Sequence, residues 1–328
     1  MSGKRKVVVV GLGSIGRRHA RLLAGRGDVI TEVCEPSAAS LERARPEIGN
    51  LTNHASLEAA LASKPQAVVI ATPHQLHAEQ TVAALKAGVH VLCEKPMAHD
   101  LASAQRMADA AASSKAVLSI GFHMHYMPIM RRVREMITSG ELGQVVHVHC
   151  RVGTYITLVN SLSRYQRTMH GALLFDYAHQ PDVLNWWLGR KPRGVYTFGG
   201  QGGNLEHTST PNYLATTIDY EGDLLATIHL NYMQMPQRHE YEVVGDKGWA
   251  VIDGEKGTIR IGDRASQSER SESFAGERDP HYVAEHQGFF DAIDGKRSPE
   301  SPAAESIVSM RIIDASLRSL KERTRVTL

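Results

Sequence analysis

Four consecutive valines, Val7 to Val10, run into Gly11-Leu12-Gly13-Ser14-Ile15-Gly16, and the helical pattern Arg17-Arg18-His19-Ala20-Arg21-Leu22-Leu23 follows at once. An uninterrupted apolar strand is one buried on both faces, as in a parallel sheet covered by helices. A G-x-G-x-x-G turn between strand and helix bends tightly at Gly11. At Gly13 it has no side chain to keep a phosphate from the N–H groups of the helix N-terminus. The next hydrophobic run, Val29 to Cys34, ends at Glu35, 19 residues beyond Gly16. An acid at that place can accept both ribose hydroxyls of an adenosine and repels a 2′-phosphate, which favours NAD over NADP. Gly11, Gly13, Ser14, Ile15, Gly16 and Glu35 are therefore the expected cofactor-binding set.

Strand and helix signals then alternate as far as residue 122. Strands are expected at Val7–Val10, Val29–Cys34, Ala67–Ala71, Val89–Cys93 and Val117–Ile120. Helices are expected at Ser14–Ala24, Ala38–Arg45, Ser56–Ala62, His77–Ala87 and Leu101–Ser113. Short apolar strands separated by amphipathic helices predict an α/β doubly wound parallel sheet, a Rossmann domain spanning 1–124. Beyond it the pattern changes. A helix at Pro128–Ser139 precedes closely spaced strands with period-two alternation at Val145–Val152, Tyr213–Tyr220, Leu224–Tyr232, Tyr241–Val244, Trp249–Asp253 and Thr258–Ile261. Turn signals at Asp246-Lys247-Gly248 and Asp253-Gly254 support antiparallel pairing. The expectation for 125–328 is an α+β domain with an open, mostly antiparallel sheet. One helix at about Asp176–Leu188 interrupts it, and helices near Val283–Ile293 and Glu305–Lys321 close the chain. The polar piece Asp263–Gly276 reads as a surface loop.

The 328 residues suffice for two domains, and a net charge of +2 gives no reason to expect nucleic acid or an anionic membrane surface. The Arg131-Arg132-Val133-Arg134 piece reads as one solvated helix face. Cys34, Cys93 and Cys150 are far apart and lack a C-x-x-C, so neither a disulfide framework nor a zinc site is expected, and a reducing, cytoplasmic setting suits them. Val7–Val10 is too short for a signal-peptide core, and no apolar run reaches the roughly 18 residues of a membrane span. His147 and His149 alternate on one strand, as do His123 and His125 if extended. No third and fourth ligand with the usual spacing accompanies either pair, so no metal is expected.

In an open parallel sheet, ligands bind at the carboxyl ends of the strands. Two such ends, besides the glycine turn, carry polar groups: Thr72-Pro73-His74-Gln75-Leu76-His77 and Glu94-Lys95-Pro96. Pro96 restricts Lys95 to an extended backbone. An ammonium aimed from there could hydrogen-bond the oxygen of a substrate alcohol and lower its pKa as hydride leaves the carbon. The other reading of Lys95 is a surface pair with Glu94. Further on, Asp176, His179 and Asp182 are three apart and share a face if helical. A carboxylate beside an imidazole makes a proton acceptor near neutral pH; Asp176 as a helix N-cap beside a satisfied histidine is the alternative.

Taken in order, these motifs resemble the glucose–fructose oxidoreductase / inositol dehydrogenase / MocA (Gfo/Idh/MocA) family over nearly the whole chain. The matching pieces are Gly11–Gly16, Ala71-Thr72-Pro73 with His77, Glu94-Lys95-Pro96, Gly121-Phe122-His123-Met124-His125-Tyr126-Met127-Pro128, Asp176…His179…Asp182, Val244-Gly245-Asp246-Lys247-Gly248 and Ile312-Ile313-Asp314-Ala315-Ser316. The resemblance implies hydride transfer to or from NAD(P) on a sugar, inositol or related polyol. It also implies a second-domain sheet that joins subunits into a homodimer or homotetramer. Carried over by position, Lys95 touches the reacting hydroxyl, His179 accepts and donates the proton, Asp176 supports it, and Tyr282 lies near cofactor or substrate. The chain departs from the family pattern in two places. Many members place the acid four residues before the histidine, where this chain has three. His123 and His125 stand where Asn and Arg are common.

The resulting expectation is an NAD-dependent dehydrogenase of a sugar, glycoside or cyclitol, with Thr72, His77, Glu94 and Lys95 bordering the cofactor. Substrate contacts are expected from Lys95, His123, Tyr155, Arg164, Arg167, Asp176, His179 and Tyr282, with Arg151, Tyr165 and His170 as further pocket candidates. Two inward arginines would suit an anionic sugar, whereas surface arginines would not. Two other readings stay open. One is a family member that uses bound NAD transiently for elimination, epimerisation or glycoside cleavage; the other is an NAD-binding regulatory or scaffold protein.

Overall fold

A computed structural model describes residues 4–160, 165–205 and 211–328. In chain order the elements are β1 (Arg5–Val10), α1 (Ser14–Ala24), β2 (Val29–Cys34), α2 (Ala38–Ile48), β3 (Asn53–His54), α3 (Leu57–Ala62), β4 (Ala67–Ile70), α4 (His77–Lys86), β5 (His90–Glu94), α5 (Leu101–Ala112) and β6 (Leu118–Gly121). There follow α6 (Pro128–Thr138), β7 (Val145–Gly153), α7 (Ile156–Asn160), α8 (Ala172–Asp176), α9 (His179–Leu188), β8 (Pro192–Gly200), β9 (Tyr213–Tyr220), β10 (Leu224–Asn231), β11 (Arg238–Gly245), β12 (Gly248–Asp253), β13 (Thr258–Asp263) and β14 (Ser268–Ser273). The last are α10 (Asp279–Ile293), α11 (Ala303–Glu322) and β15 (Val326–Thr327).

The chain divides into two compact units, Met1–Tyr126 with Arg278–Met310, and Met127–Glu277 with Arg311–Leu328. Arg278–Met310, expected in the second domain, packs with the first unit. The reason lies in α10, whose Phe289 and Phe290 are buried in one core with Val7, Val9, Leu23, Val33, Val69 and Leu92. Burying these two large aromatic side chains there favours the return of α10 to the first unit.

In the first unit the strands lie in the order β3-β2-β1-β4-β5-β6, all parallel. Val8, Val33, Val68, Val91 and Leu92 are fully buried, as the unbroken apolar runs require. Three helix starts use side-chain caps. Ser37 accepts from Ser40 N–H, Ser56 from Ala59 N–H and Asp100 from Ser103 N–H. Helix α1 begins at Gly13 with no side-chain cap, as α4 and α10 also lack one.

The second unit holds a nine-stranded sheet in the order β14-β13-β12-β11-β7-β10-β9-β8-β15. Only β7 and β10 pair parallel; the other neighbours are antiparallel. One face is buried, with Val148, Cys150, Val152, Ile218, Ala226 and Tyr241 turned toward helices. There α6 packs on α9, and Trp187 Nε1–H donates to the Met130 carbonyl at 3.0 Å. The other face leaves Tyr196, Phe198, Tyr213 and Leu225 exposed.

Three local expectations change. The helix expected at Asp176–Leu188 is two pieces, α8 and α9, because the backbone leaves helical geometry at Tyr177 (φ −103°, ψ 31°). Asp263–Gly276 is not all loop: Ser268–Ser273 is the edge strand β14, paired with β13. Its side chains are almost all exposed, so no hydrophobic alternation marks it. The arginine-rich face of α6 is also more than solvated, since Arg132 reaches Glu141 at 2.9 Å and Glu272 at 2.9 Å. The three cysteines are free and buried. Burial, with the Glu35 charge nearby, pushes the Cys34 thiol up to about 11. No helix among the described residues is long and apolar enough to cross a membrane.

Candidate active site

The glycine turn is built as its sequence demands. Gly11 holds φ +89°, a conformation costly for other residues, and a Cβ there would lie 2.9 Å from Thr72 Cγ2. A Cβ on Gly16 would sit 1.9 Å from the Gly11 carbonyl oxygen, so helix α1 can pack this close only without one. Gly13, by contrast, meets nothing within 4 Å. Its openness and the missing side-chain cap leave the start of α1 able to receive an anion. Across from it, Glu35 accepts the Leu12 N–H at 3.0 Å and the Ser37 N–H at 3.0 Å. Asn53 completes the anchor, accepting from the Glu35 N–H at 3.0 Å and donating to its carbonyl at 3.2 Å. A carboxylate has about four acceptor positions, so two remain for a diol. The residues fit a dinucleotide with free ribose hydroxyls.

Thr72 and Glu94-Lys95-Pro96 follow β4 and β5 at their carboxyl ends, on the same side as the glycine turn. Thr72 Oγ1–H donates to Gln80 Oε1 at 2.6 Å. The Lys95–Pro96 peptide is cis, and the Lys95 N–H donates to Glu94 Oε2 at 3.1 Å. Glu94 thus braces the backbone of Lys95 through its own carboxylate. His77 is buried, with Nδ1 2.9 Å from the Pro96 carbonyl and Nε2 2.9 Å from the Thr72 carbonyl. It ties the two loops together from below. Burial pulls its pKa down against these carbonyls. His74, also buried, is pulled down to about 4, chiefly by burial.

Behind Lys95, the residues Glu94, His123 and Tyr282 join a cluster with His19, Glu285 and His286, to which motif reading gave no role. His19 Nε2 is 2.9 Å from Glu94 Oε1, and His19 Nδ1 is 2.7 Å from His286 Nε2. Tyr282 meets His19 edge-on with ring centroids 5.4 Å apart, and His123 stacks on Tyr282 at 4.7 Å. Glu285 completes the group, fully buried, and burial together with the Glu94 charge drives its carboxyl far above the usual range. A signal was available in the sequence. His19 lies on the buried face of α1 with Gly16, Ala20 and Leu23. Glu285 shares a helical face with Tyr282 and Phe289, where an apolar residue belongs.

In the second unit, Asp176 closes α8 and is not a helix N-cap. Its Oδ1 accepts from the Tyr165 hydroxyl, and its Oδ2 accepts from the Tyr232 hydroxyl and from Gln166 Nε2 at 3.2 Å. Burial and the Asp176 charge raise both phenols well above the normal tyrosine range, which keeps them protonated donors. His179 opens α9 and is 8% exposed; Asp182, one turn on, is buried. Asp176 and His179 are therefore joined by a bend, not by one continuous helix.

The remaining substrate candidates scatter. Tyr155 is half-buried, and its N–H donates to the Gln234 carbonyl at 2.9 Å. Arg151 lies on the exposed side of β7 and pairs with Glu240 of β11 at 3.6 Å. Arg167 and His170 are exposed. Arg164 lies outside the described residues.

The sequence-family profile described as an oxidoreductase family with an NAD-binding Rossmann fold matches residues 5–122. Its companion, the C-terminal alpha/beta domain of that family, matches residues 134–328. Inositol 2-dehydrogenase of Corynebacterium glutamicum is 28% identical over 271 residues, covering 79% of this chain and 77% of its own. 2,7-anhydro-N-acetylneuraminate hydratase of Escherichia coli is 28% identical over 264 residues, 77% of this chain and 69% of its own. Among solved structures, scyllo-inositol dehydrogenase from Lactobacillus casei, with NAD(H) and scyllo-inositol bound, has a TM-score of 0.82 at 19% identity and covers 99% of each chain. That likeness is one of fold.

Proposed function

This chain belongs to the Gfo/Idh/MocA oxidoreductase family, and on that premise we propose that it is an NAD-dependent dehydrogenase acting on a hydroxyl of a sugar, glycoside or cyclitol. The observation that carries the reading is Glu35, held on the Leu12 amide opposite an uncapped helix N-terminus. Gly11, Gly13, Ser14, Ile15, Gly16 and Glu35 would hold NAD, which when bound supplies the hydride acceptor. Glu35 would also repel a 2′-phosphate.

The other roles fall to the chain's own groups. Lys95 donates a hydrogen bond to the substrate oxygen and stabilises the negative charge that grows there. His179 takes the hydroxyl proton, and Asp176 orients and charges the acid–base pair. His77 and Glu94 brace the Lys95 loop beside the cofactor. Arg151 is engaged by Glu240, which weakens the case for an anionic sugar. The exposed apolar side chains Tyr196, Phe198, Tyr213 and Leu225 suit a homo-oligomer built through the second unit's sheet, and the three free buried cysteines suit the cytoplasm.

A second reading has support from the hydratase relative. Adding or removing water leaves no net oxidation, so bound NAD would be used and regenerated within one turnover. The test is an NAD-reduction screen with neutral sugars, glycosides, inositols, uronates and sulfonated sugars. NADH released in step with substrate consumed supports the dehydrogenase. Substrate conversion without NADH release supports the second reading. NAD binding with no conversion across the panel indicates a regulatory or scaffold protein.

A further inference from the structure

The buried group of His19, Glu94 and Glu285 contains an imbalance that its neighbours do not correct. These residues are 0%, 6% and 2% exposed, and one ligand atom from each lies within 4.8 Å of the others. Among the described residues, neither carboxylate oxygen of Glu285 has a hydrogen-bond partner. If His19 Nε2–H donates to Glu94, then His19 Nδ1 must accept from His286 Nε2–H. Every polar atom then left over, the two Glu285 oxygens and His286 Nδ1, is an acceptor. The group itself supplies no further donor for them.

The choice between occupants follows from what each leaves unsatisfied. A proton on Glu285 removes one charge and can bridge to one acceptor, but it leaves the other Glu285 oxygen without a donor. A water alone supplies donors but leaves two like charges in a dry interior. A divalent cation cancels both charges and occupies all three atoms together. We propose that His19 Nε2, one oxygen of Glu94 and one oxygen of Glu285 form a site for a single divalent first-row transition-metal ion. One imidazole and two carboxylates suit zinc or manganese.

In the metal-bound form His19 donates Nδ1–H to His286 Nε2 and turns its Nε2 lone pair to the ion, so His286 sets the tautomer and carries its own proton on Nδ1, the one buried donor this arrangement leaves unpaired. The ion links α1, β5 and α10. Through Glu94, whose other oxygen holds the Lys95 N–H at 3.1 Å, it stiffens the strand end that carries Lys95. This role is structural and does not depend on which substrate the enzyme takes.

The experiment uses untagged full-length protein purified without chelator. Elemental analysis should find close to one zinc or manganese per chain. After chelator treatment the melting temperature should fall, and ZnCl2 or MnCl2 should restore it. Glu285→Gln keeps the shape and removes a ligand. Loss of an outer partner alone costs about 10–100-fold in affinity, so this variant should bind the ion at least about 100-fold more weakly. X-ray absorption on the loaded wild type, needing no variant, should show nitrogen and oxygen neighbours without sulfur. Metal-free wild type that neither salt stabilises, or a Glu285→Gln variant that binds as tightly as wild type, would overturn the proposal. A proton or a water would then be the occupant.

Discussion

Two carboxylates, Glu35 in the first unit and Asp176 in the second, are both held in place, by opposite means. Glu35 is fixed by main-chain N–H groups of Leu12 and Ser37. Asp176 is fixed by side chains, the hydroxyls of Tyr165 and Tyr232 and the carboxamide of Gln166. Main-chain donors come with the fold, whatever residues carry them, so a glycine turn and a count of residues suffice to find Glu35. Side-chain donors depend on separate residue choices, one of them 56 positions away at Tyr232. Sites of the first kind tolerate sequence change around them, and sites of the second kind do not.

The sharpest break in that comparison comes from Lys95, whose backbone is positioned locally while its ammonium does the proposed chemistry. Lys95→Ala should retain NAD binding by calorimetry and lose turnover by about 1,000-fold or more. Turnover within a factor of ten of wild type would remove Lys95 from the reaction.

The glycine turn separates fold from ligand. Gly16→Ala drives a Cβ into the Gly11 carbonyl at 1.9 Å and should lower the melting temperature by several degrees. Gly13→Ala meets nothing within 4 Å of the chain itself. It should leave the melting temperature unchanged while weakening NAD binding by about 10-fold or more. Equal effects of the two substitutions on stability would contradict the packing described here.

For Asp176 the informative change is Tyr232→Phe, which deletes one donor and keeps the ring. A drop in kcat of about 10-fold with little change in KM is expected, together with a displaced pH profile. An unchanged profile would make the tyrosine cage a packing feature only.

The smallest effect concerns pH. In the first unit His74, His77 and His123 have pKa values pulled down mainly by burial, that of His74 to about 4. The unfolded chain binds protons at these histidines near pH 6.5 while the folded chain does not. The stability they support is complete above that pH and is lost as pH falls toward 4, by up to about 1.4 kcal/mol per pH unit for each. In the second unit Tyr165, Tyr177 and Tyr232 are pushed up, chiefly by burial. Unfolded tyrosines ionise near pH 10 and folded ones do not, so their contribution holds below pH 10 and is lost above it. Thermal melts followed by hydrogen exchange should show the first unit loosening first at pH 5 and the second first at pH 10.5. Simultaneous loss at both extremes would mean that the two units unfold as one.

The parallel sheet was legible because a strand buried on both faces must be apolar throughout, and β2 and α1 have the bounds expected from that pattern. Strand β14 was not legible, since its exposed polar side chains carry no alternation and only pairing with β13 makes it a strand. Strand β8 was missed because glycines at Gly194, Gly199 and Gly200 interrupt its apolar pattern. The bend between Asp176 and His179 was invisible for a similar reason: the composition there permits a helix, and the surrounding packing decides otherwise.

By itself, the sequence determined the doubly wound first sheet, the glycine turn and the acid that answers it, because local spacing controls strand ends and main-chain donors. It also placed Lys95 at a strand end. Only the tertiary structure decided that Arg278–Met310 returns to the first unit and that His19, Glu94 and Glu285 converge. The same holds for Asp176, which three side-chain donors enclose. These are contacts between residues far apart along the chain, and no local pattern records which side chains such contacts will bring together.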